Sequence, residues 1–326
     1  MNAAVVHAFD APPAYTTFAD PVPSLGEALI DVTAAALHRI VRSLANGSHY
    51  GSTGVLPFVP GVDGVGRLRS SFGQLPAGAR VYFGATHSPY GTFAEHSLAS
   101  ATMLIPLPDA LDDATAAAIA NPAMSSTVAL MRARFQPGEG ILILGATGAS
   151  GQLAVQIAKA RGAASIVAVG RNPQTLAMLQ ALGADATLNL NQDPSSLAAA
   201  LRDQITSRGI DVILDYLWGS PAETLLSAIA QKGLDHAARR IRYVQIGSMA
   251  GPNLNLPAST LRSSGLELLG SGFGSASMDQ IREAIAGFFA VVAARPFEFA
   301  CQVAPLSEVS LLWNADTGGA RLVFHP

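Results

Sequence analysis

The sequence predicts an α/β protein with two domains, one of which is built on a doubly wound parallel sheet. The chain has 326 residues, whereas a single hydrophobic core stops growing at roughly 250–300 residues. From about residue 136 onward, short apolar runs alternate with helical stretches, which is the pattern of βαβ units. Before residue 108, Gly and Pro recur at short spacing, and this favours a small irregular β domain.

The elements can be assigned in chain order from these patterns. In the first part, β-type runs or extended segments separated by turns are predicted at residues 28–33, 57–61, 61–66 and 80–83. Residues 109–120 are rich in Ala and begin with acids, which suits a helix N-terminus. Later strands are predicted at residues 141–144, 165–169, 211–215, 241–246, 266–269 and 321–324, and helices at residues 174–182 and 276–294 and from the glycine loop to about Arg161.

Composition excludes several classes of protein. With 49% apolar and 13% charged residues and a net charge of −3, a disordered chain or a partner that is a nucleic acid or an acidic membrane is not expected. The single cysteine, Cys301, can form neither an intramolecular disulfide nor a cysteine-rich zinc site. Residues 1–4 lack a basic region, and the apolar run at 284–294 is about half the ~20 residues that a membrane span needs. We therefore expect a cytoplasmic protein.

A glycine-rich turn follows the predicted strand 141–144 and opens an amphipathic helix. Small residues let a backbone approach a pyrophosphate, and free N–H groups at a helix N-terminus bind the anion. The turn therefore indicates dinucleotide binding, the alternative being a structural turn. Its predicted cofactor-binding residues are Ala146, Thr147, Gly148, Ala149, Ser150 and Gly151, after Gly145.

The end of the second strand of this sheet favours NADPH over NADH. It reads Gly170-Arg171-Asn172, and no acid occurs from Ile166 to Gln174. An NAD site places an acid there for the ribose 2′-OH, whereas an arginine suits the 2′-phosphate of NADP. A solvated loop arginine is the alternative reading of Arg171.

Taken together, these motifs resemble the medium-chain dehydrogenase/reductase superfamily, in its zinc-free quinone oxidoreductase (zeta-crystallin-like) branch. The segments that carry the resemblance are residues 56–66, 91–96, 107–109, 121–126 and 145–159. The resemblance implies a GroES-like catalytic domain at residues 1–121, a Rossmann NADPH-binding domain at 122–272 and a return to the catalytic domain at 273–326. It also implies a cleft active site, and a homodimer is expected.

No metal site is expected, because the zinc-binding positions of relatives are altered. The first catalytic loop contains His38, and Asp63 stands in the segment where zinc-dependent relatives carry Gly-His-Glu. One histidine and one distant acid do not make a three-ligand zinc site. Without a Lewis acid, the expected reaction is hydride transfer from NADPH to a quinone or an α,β-unsaturated carbonyl, both activated by conjugation.

The resemblance also suggests residues near the nicotinamide and the substrate. Ser125 stands where relatives carry a Thr that contacts the cofactor, and the other candidates follow strands at the edge where ligands collect in such sheets. Ordinary turn chemistry is the alternative for each of them. The candidates are Ser125, Ile246, Gly247, Ser248, Gly272 and Phe273.

His38 and Tyr50 are the candidate catalytic residues, His38 because an imidazole of ordinary pKa can donate a proton near neutrality. Polar-loop or turn-covering roles are the alternatives. Relatives carry Asn, Asp and Tyr near the places of His38, Val41 and Ser43, so the acceptor is not identified. No metal-like spacing connects His87, His96, His236 and His325.

Two other functions are compatible with parts of the sequence. The altered first loop fits an NADPH-binding sensor or structural protein with little turnover. The Gly-Ala-Thr-Gly string also occurs in short-chain-type reductases, but about 140 residues precede it here and no Tyr-x-x-x-Lys pair is found.

Overall fold

The computed structural model describes residues 1–230 and 239–326. The chain divides into two compact units. The first unit comprises Met1–Asn121 and Ile285–Pro326, and the second unit comprises Pro122–Ala284. None of the helices in the described ranges combines the length and the apolar character required to cross a membrane.

Strands and helices are numbered in chain order. The strands are β1 (Asn2–Val5), β2 (Ala14–Thr17), β3 (Glu27–Ala36), β4 (Asp63–Leu68), β5 (Arg80–Gly84), β6 (His96–Ser100), β7 (Leu104–Pro106), β8 (Gly140–Leu144), β9 (Ser165–Gly170), β10 (Ala186–Asn189), β11 (Ile210–Asp215), β12 (Arg240–Gln245), β13 (Gly265–Gly270), β14 (Cys301–Pro305) and β15 (Arg321–His325). The α-helices are α1 (Arg39–Ala45), α2 (Asp113–Arg132), α3 (Ala149–Ala160), α4 (Pro173–Ala181), α5 (Pro194–Ser207), α6 (Gly219–Ile229), α7 (Ala258–Arg262), α8 (Met278–Ala294) and α9 (Val309–Leu312).

The first unit is built on a mostly antiparallel sheet in the order β14-β15-β3-β4-β5-β7, with β6 paired to β3. Strand β3 alternates buried and half-buried residues, because one face of such a sheet covers the core and the other does not. The core contains Val41, Phe83, Phe93 and Phe324, all buried. This is the β-rich domain that the glycine and proline spacing predicted.

The second unit is built on a parallel sheet in the order β10-β9-β8-β11-β12-β13. Every residue of β8 is buried, as expected for a central strand covered by helices on both faces. The chain runs outward from β8 to β10 and then returns to the middle at β11. In such sheets ligands bind at the carboxyl ends of the strands beside this reversal, which here are Leu144 and Asp215.

Candidate functional site

The glycine turn lies at the carboxyl end of β8. The backbone N–H groups of Gly145 and Ala146 both donate to the Val169 carbonyl at 2.9 Å, which holds the turn against β9. Gly148 is the N-cap of α3 and makes no side-chain capping bond. The first N–H groups of a helix have no partner within it, so the first turn of α3 provides backbone donors for an anion.

Two glycines in this turn have different roles. A Cβ added at Gly151 would lie 2.4 Å from the Gly145 carbonyl oxygen, so the packing of α3 on the turn requires a glycine. A Cβ added at Gly148 would meet only the Gly145 carbonyl oxygen, at an ordinary 3.5 Å. The space beside Gly148 is therefore not needed by the protein itself and is free for a ligand.

Gly170 ends β9 beside this turn, but its missing side chain accommodates a protein group. A Cβ at Gly170 would lie 2.4 Å from the Thr147 Cγ2 atom. The missing side chain of Gly170 therefore lets the Thr147 side chain pack against β9, which helps to fix the glycine turn.

Arg171 is exposed immediately after β9, and none of the ion pairs found among the described residues involves its guanidinium. Its backbone carbonyl accepts from Asn191 Nδ2 at 3.2 Å. Asn172 caps α4, because its Oδ1 atom accepts from the Thr175 N–H at 2.9 Å. The guanidinium of Arg171 therefore has all its N–H donors available for a phosphate. In Asn172 the side-chain oxygen is used by the cap, and only the amide N–H groups are available.

Ser125 lies in α2, where its hydroxyl donates to the Pro122 carbonyl at 2.7 Å. The next residue makes the long-range contacts: Ser126 Oγ lies 2.7 Å from the Tyr216 hydroxyl and 3.5 Å from the Ser150 carbonyl oxygen. Burial raises the pKa of Tyr216 to about 12, and the serine hydroxyls oppose that shift. This cluster ties α2 to the glycine turn and to the end of β11.

The sequence reasoning did not find Ser126 and Tyr216. Tyr216 directly follows β11, so the rule that selected Ser248, a polar residue after a strand, could have found it. Ser126 is 90 residues from Tyr216, and nothing local in its segment indicates that contact.

Asp215, the last residue of β11, organises the turn that follows it and was also missed. Its side chain is buried and accepts from the Leu217 N–H at 2.7 Å and the Trp218 N–H at 3.0 Å. Tyr243 also donates its hydroxyl to this carboxyl at 2.7 Å. Burial raises the pKa of Asp215, and these hydrogen bonds oppose the rise.

The other predicted nicotinamide contacts lie after β12 and β13. Both the Ile246 and Gly247 N–H groups donate to the Asp215 carbonyl, and Ser248 is exposed. The Gly272 N–H donates to Ser275 Oγ at 2.7 Å, in the short 3₁₀ turn that begins at Phe273. A Cβ at Gly272 would meet nothing within 4 Å, so the space beside Gly272, after the carboxyl end of β13, is open.

In the first unit, His38 is buried and faces another buried ionisable side chain. Its Nε2 atom lies 3.5 Å from Asp63 Oδ1, and Asp63 Oδ2 accepts from the Tyr82 hydroxyl at 2.7 Å. Burial raises the pKa of Asp63 to about 7, although the Tyr82 hydrogen bond and Arg321 oppose the rise. Burial and the positive charge of Arg321 lower the pKa of His38 well below its ordinary value.

These pKa shifts change what His38 can do. We expected an imidazole that titrates near neutrality, whereas this one is neutral there and neither ring nitrogen is accessible to solvent. A neutral imidazole can donate one N–H hydrogen bond but carries no extra proton. Tyr50, the other candidate, is 84% exposed and stacks on His49 with ring centroids 4.2 Å apart.

Among the described residues, no three His, Cys, Asp or Glu side chains are grouped so that they could hold a metal ion. In the interior of the first unit His38 lies beside Asp63, and their neighbour Tyr82 donates its hydroxyl to the carboxylate. His236 lies outside the described residues.

The chain is similar to known oxidoreductases. Residues 149–289 match the family model described as zinc-binding dehydrogenase. Over the full length of both chains, 29% of residues are identical to a probable NADPH-dependent quinone reductase, tdiC, of Emericella nidulans. An NADPH-dependent alkenal/one oxidoreductase of Arabidopsis thaliana is 30% identical over 53% of this chain and 47% of its own.

The chain is also similar in fold to a solved structure over its whole length. The quinone oxidoreductase of Thermus thermophilus, whose complex with NADPH is also described, superposes with a TM-score of 0.78 and 27% identity over 100% of both chains.

Proposed function

The chain belongs to the quinone oxidoreductase branch of the medium-chain dehydrogenase/reductase superfamily, and from this premise we propose that it transfers hydride from NADPH to a quinone or an α,β-unsaturated carbonyl without zinc. The observation that carries the proposal is the anion-binding turn at the end of β8, with Arg171 exposed at the end of the neighbouring strand. Bound NADPH supplies the hydride, and the protein supplies binding, orientation and the exclusion of water.

The residues around the turn fit NADPH. The first N–H groups of α3 suit the pyrophosphate, the open space beside Gly148 permits its approach, and the guanidinium of Arg171 suits the 2′-phosphate. Ser125 and residues 246–248 stay the proposed contacts of the nicotinamide end. Gly272 and Phe273 complete that proposed set.

We propose that the reaction does not need zinc, because other side chains stand at the positions where zinc-dependent relatives carry their zinc ligands. A catalytic zinc site needs three protein ligands, and the donors near Asp63 are one neutral imidazole and one hydroxyl that already donates to the carboxylate. His38 and Tyr50 stay the proposed catalytic residues. For His38 the proposed role is a hydrogen bond from a neutral N–H group to a substrate oxygen, which requires the substrate to reach a ring nitrogen that is buried in this structure.

The proposal is tested by following NADPH oxidation with a panel of quinones and enones, before and after treatment with a chelator. We expect turnover of at least one acceptor, with a rate that the chelator does not change. Tight NADPH binding without turnover of any acceptor would instead indicate a sensor, and activity that disappears with the chelator would overturn zinc independence.

We also propose a cytoplasmic homodimer. The single cysteine is compatible with a reducing compartment. Support for the dimer comes from β13, which pairs only with β12 in the described part of the chain and so leaves one backbone edge open. Light scattering coupled to gel filtration should give twice the chain mass of 33.5 kDa, and a mass of one chain would contradict the dimer.

A further inference from the structure

Trp218 has a backbone conformation that a bulky residue rarely adopts. Its φ is 57° and its ψ is −161°, in a region where side chains other than glycine are strained. The strain is maintained by neighbouring groups, because Asp215 accepts from the Trp218 N–H and the Ala250 N–H donates to the Leu217 carbonyl at 2.7 Å. Strained residues that are held in this way are concentrated at functional sites.

Trp218 lines a cavity of about 480 Å³, which is a normal size for a small-molecule site. Leu268, Leu269 and Gly270 of β13 form another part of the wall, and Gln245 and Ser248 contribute polar groups. We call this space the Trp218 cavity. A Cβ at Gly270 would meet nothing within 4 Å, so the cavity is open beside that residue.

The lining indicates an uncharged, planar ligand. No charged side chain lines the Trp218 cavity, so it does not suit a phosphate. An indole face binds flat conjugated rings well. Gln245 uses one amide N–H on the Gly247 carbonyl at 3.0 Å, which leaves its second N–H, together with the Ser248 hydroxyl, for a carbonyl oxygen.

The position of the cavity fits an electron acceptor. It lies at the ends of β12 and β13, two and three strand spacings from the pyrophosphate turn at β8, or roughly 10–14 Å. Ser248, which lines it, is also one of the proposed nicotinamide contacts. An acceptor must lie directly beside the nicotinamide ring, because hydride transfer requires the reacting atoms to be close together.

We propose that the Trp218 cavity binds the ring of the quinone or enone acceptor and that Trp218 determines the preference for large conjugated acceptors. This proposal rests on the proposed function, whose substrate class it narrows. Trp218 positions the acceptor ring and takes no part in the transfer of hydride or proton.

Ligand binding can be tested by fluorescence, because the chain contains only two tryptophans. The other, Trp313, is buried beside Phe93 in the first unit. The variant Trp313→Phe leaves Trp218 as the only indole, and titration with 2-methyl-1,4-naphthoquinone should quench its emission to saturation. The matched variant Trp218→Phe leaves only Trp313 and should show no saturable quenching. Equal quenching in both variants would overturn the proposal.

Two further variants test specificity without straining the fold. Trp218→Gly removes the indole and suits the positive φ, and Gly270→Leu places a side chain in the open space of the cavity. Each should raise the KM for the naphthoquinone about tenfold or more, with a smaller effect on 1,4-benzoquinone and an unchanged Kd for NADPH.

The outcomes separate this proposal from the proposed function. If the wild type turns over quinones but neither variant changes the KM, the function stands and the cavity assignment is wrong. If the wild type turns over no acceptor, the proposed function fails, and the quenching experiment still decides whether the cavity binds a quinone. A rise in the Kd for NADPH equal to the rise in KM would assign the cavity to the cofactor and overturn the proposal.

Discussion

At the scale of single residues, the predicted cofactor turn is held in place by contacts between residues that are far apart in the chain. The glycines at 145, 148 and 151 could be assigned because each is part of a local pattern. Asp215 and Ser126 could not, because their roles depend on contacts such as Asp215 with Tyr243 and Ser126 with Tyr216, which form only when distant strands pair. The space beside Gly170 is likewise filled by a residue distant in the sequence, Thr147.

Arg171 should determine the preference for NADPH. A hydrogen bond to a charged group contributes roughly 1.5–3 kcal/mol, or about one to two decades of affinity. Arg171→Ala should therefore raise the Kd for NADPH by that factor, leave the Kd for NADH nearly unchanged and reduce the salt dependence of NADPH binding. Isothermal titration with both cofactors measures this.

Arg161→Ala is the matched control for this experiment, because Arg161 is exposed at the opposite end of α3 and should not affect either affinity. If Arg171→Ala weakens both cofactors equally, Arg171 does not recognise the 2′-phosphate.

Asp63 should make stability depend on pH. In the unfolded chain its carboxyl ionises near 3.8, and in the folded chain burial raises the pKa to about 7. Below both pKa values the carboxyl is protonated in the folded and in the unfolded chain, so Asp63 does not lower the free energy of unfolding there. As pH rises from 3.8 to 7 only the unfolded state loses the proton, so the free energy of unfolding falls.

The variant Asp63→Asn removes this titration while keeping a partner for Tyr82. Relative to wild type, it should gain on the order of 2–3 kcal/mol of stability between pH 5 and pH 8, measured by urea unfolding at both values. Asp109→Asn, at an exposed position of the same unit, should show almost no such gain. A stability difference between wild type and Asp63→Asn that is the same at both pH values would show that Asp63 is not buried as a neutral acid.

At the scale of elements, the strand, glycine turn and helix were predicted nearly to their observed bounds: β8 was expected at residues 141–144 and is Gly140–Leu144. A buried apolar run followed by glycines and an amphipathic stretch is a strong local signal. Helix α2 was expected at residues 109–120, whereas it begins at Asp113 and continues through Pro122 to Arg132. An internal proline usually ends a helix, so the sequence alone does not predict this continuation.

The two glycines of the turn give a prediction for α3. Gly148→Val should leave stability nearly unchanged, because its Cβ has room, but should weaken NADPH binding about tenfold or more by blocking the approach to the helix N-terminus. Gly151→Ala should instead cost about 1–3 kcal/mol of stability, because the added Cβ collides with the Gly145 carbonyl. Thermal unfolding and NADPH titration of both variants separate the effects, and an unchanged Kd in folded Gly148→Val would leave the turn without a cofactor role.

At the scale of the whole molecule, the fold class was predictable and is confirmed, and the comparisons agree with the predicted family, because both depend on the order of many local signals along the chain. The acceptor was not predictable. The first catalytic loop departs from relatives at His38, and the side chains that line the Trp218 cavity come from residues 218–270, which only the folded sheet brings together.

Isotope transfer measures the proposed step itself, the movement of hydride from NADPH to a conjugated acceptor. Chelator-treated protein is incubated with NADPH deuterated at C4 of the nicotinamide ring, once with each face labelled, together with an α,β-unsaturated ketone, and the product is analysed by mass spectrometry and NMR. We expect one deuterium at the β-carbon of the saturated ketone from one of the two labelled forms, and less of this product with Arg171→Ala at subsaturating NADPH. If NADPH binds tightly while no deuterium reaches any acceptor, the chain does not catalyse this hydride transfer.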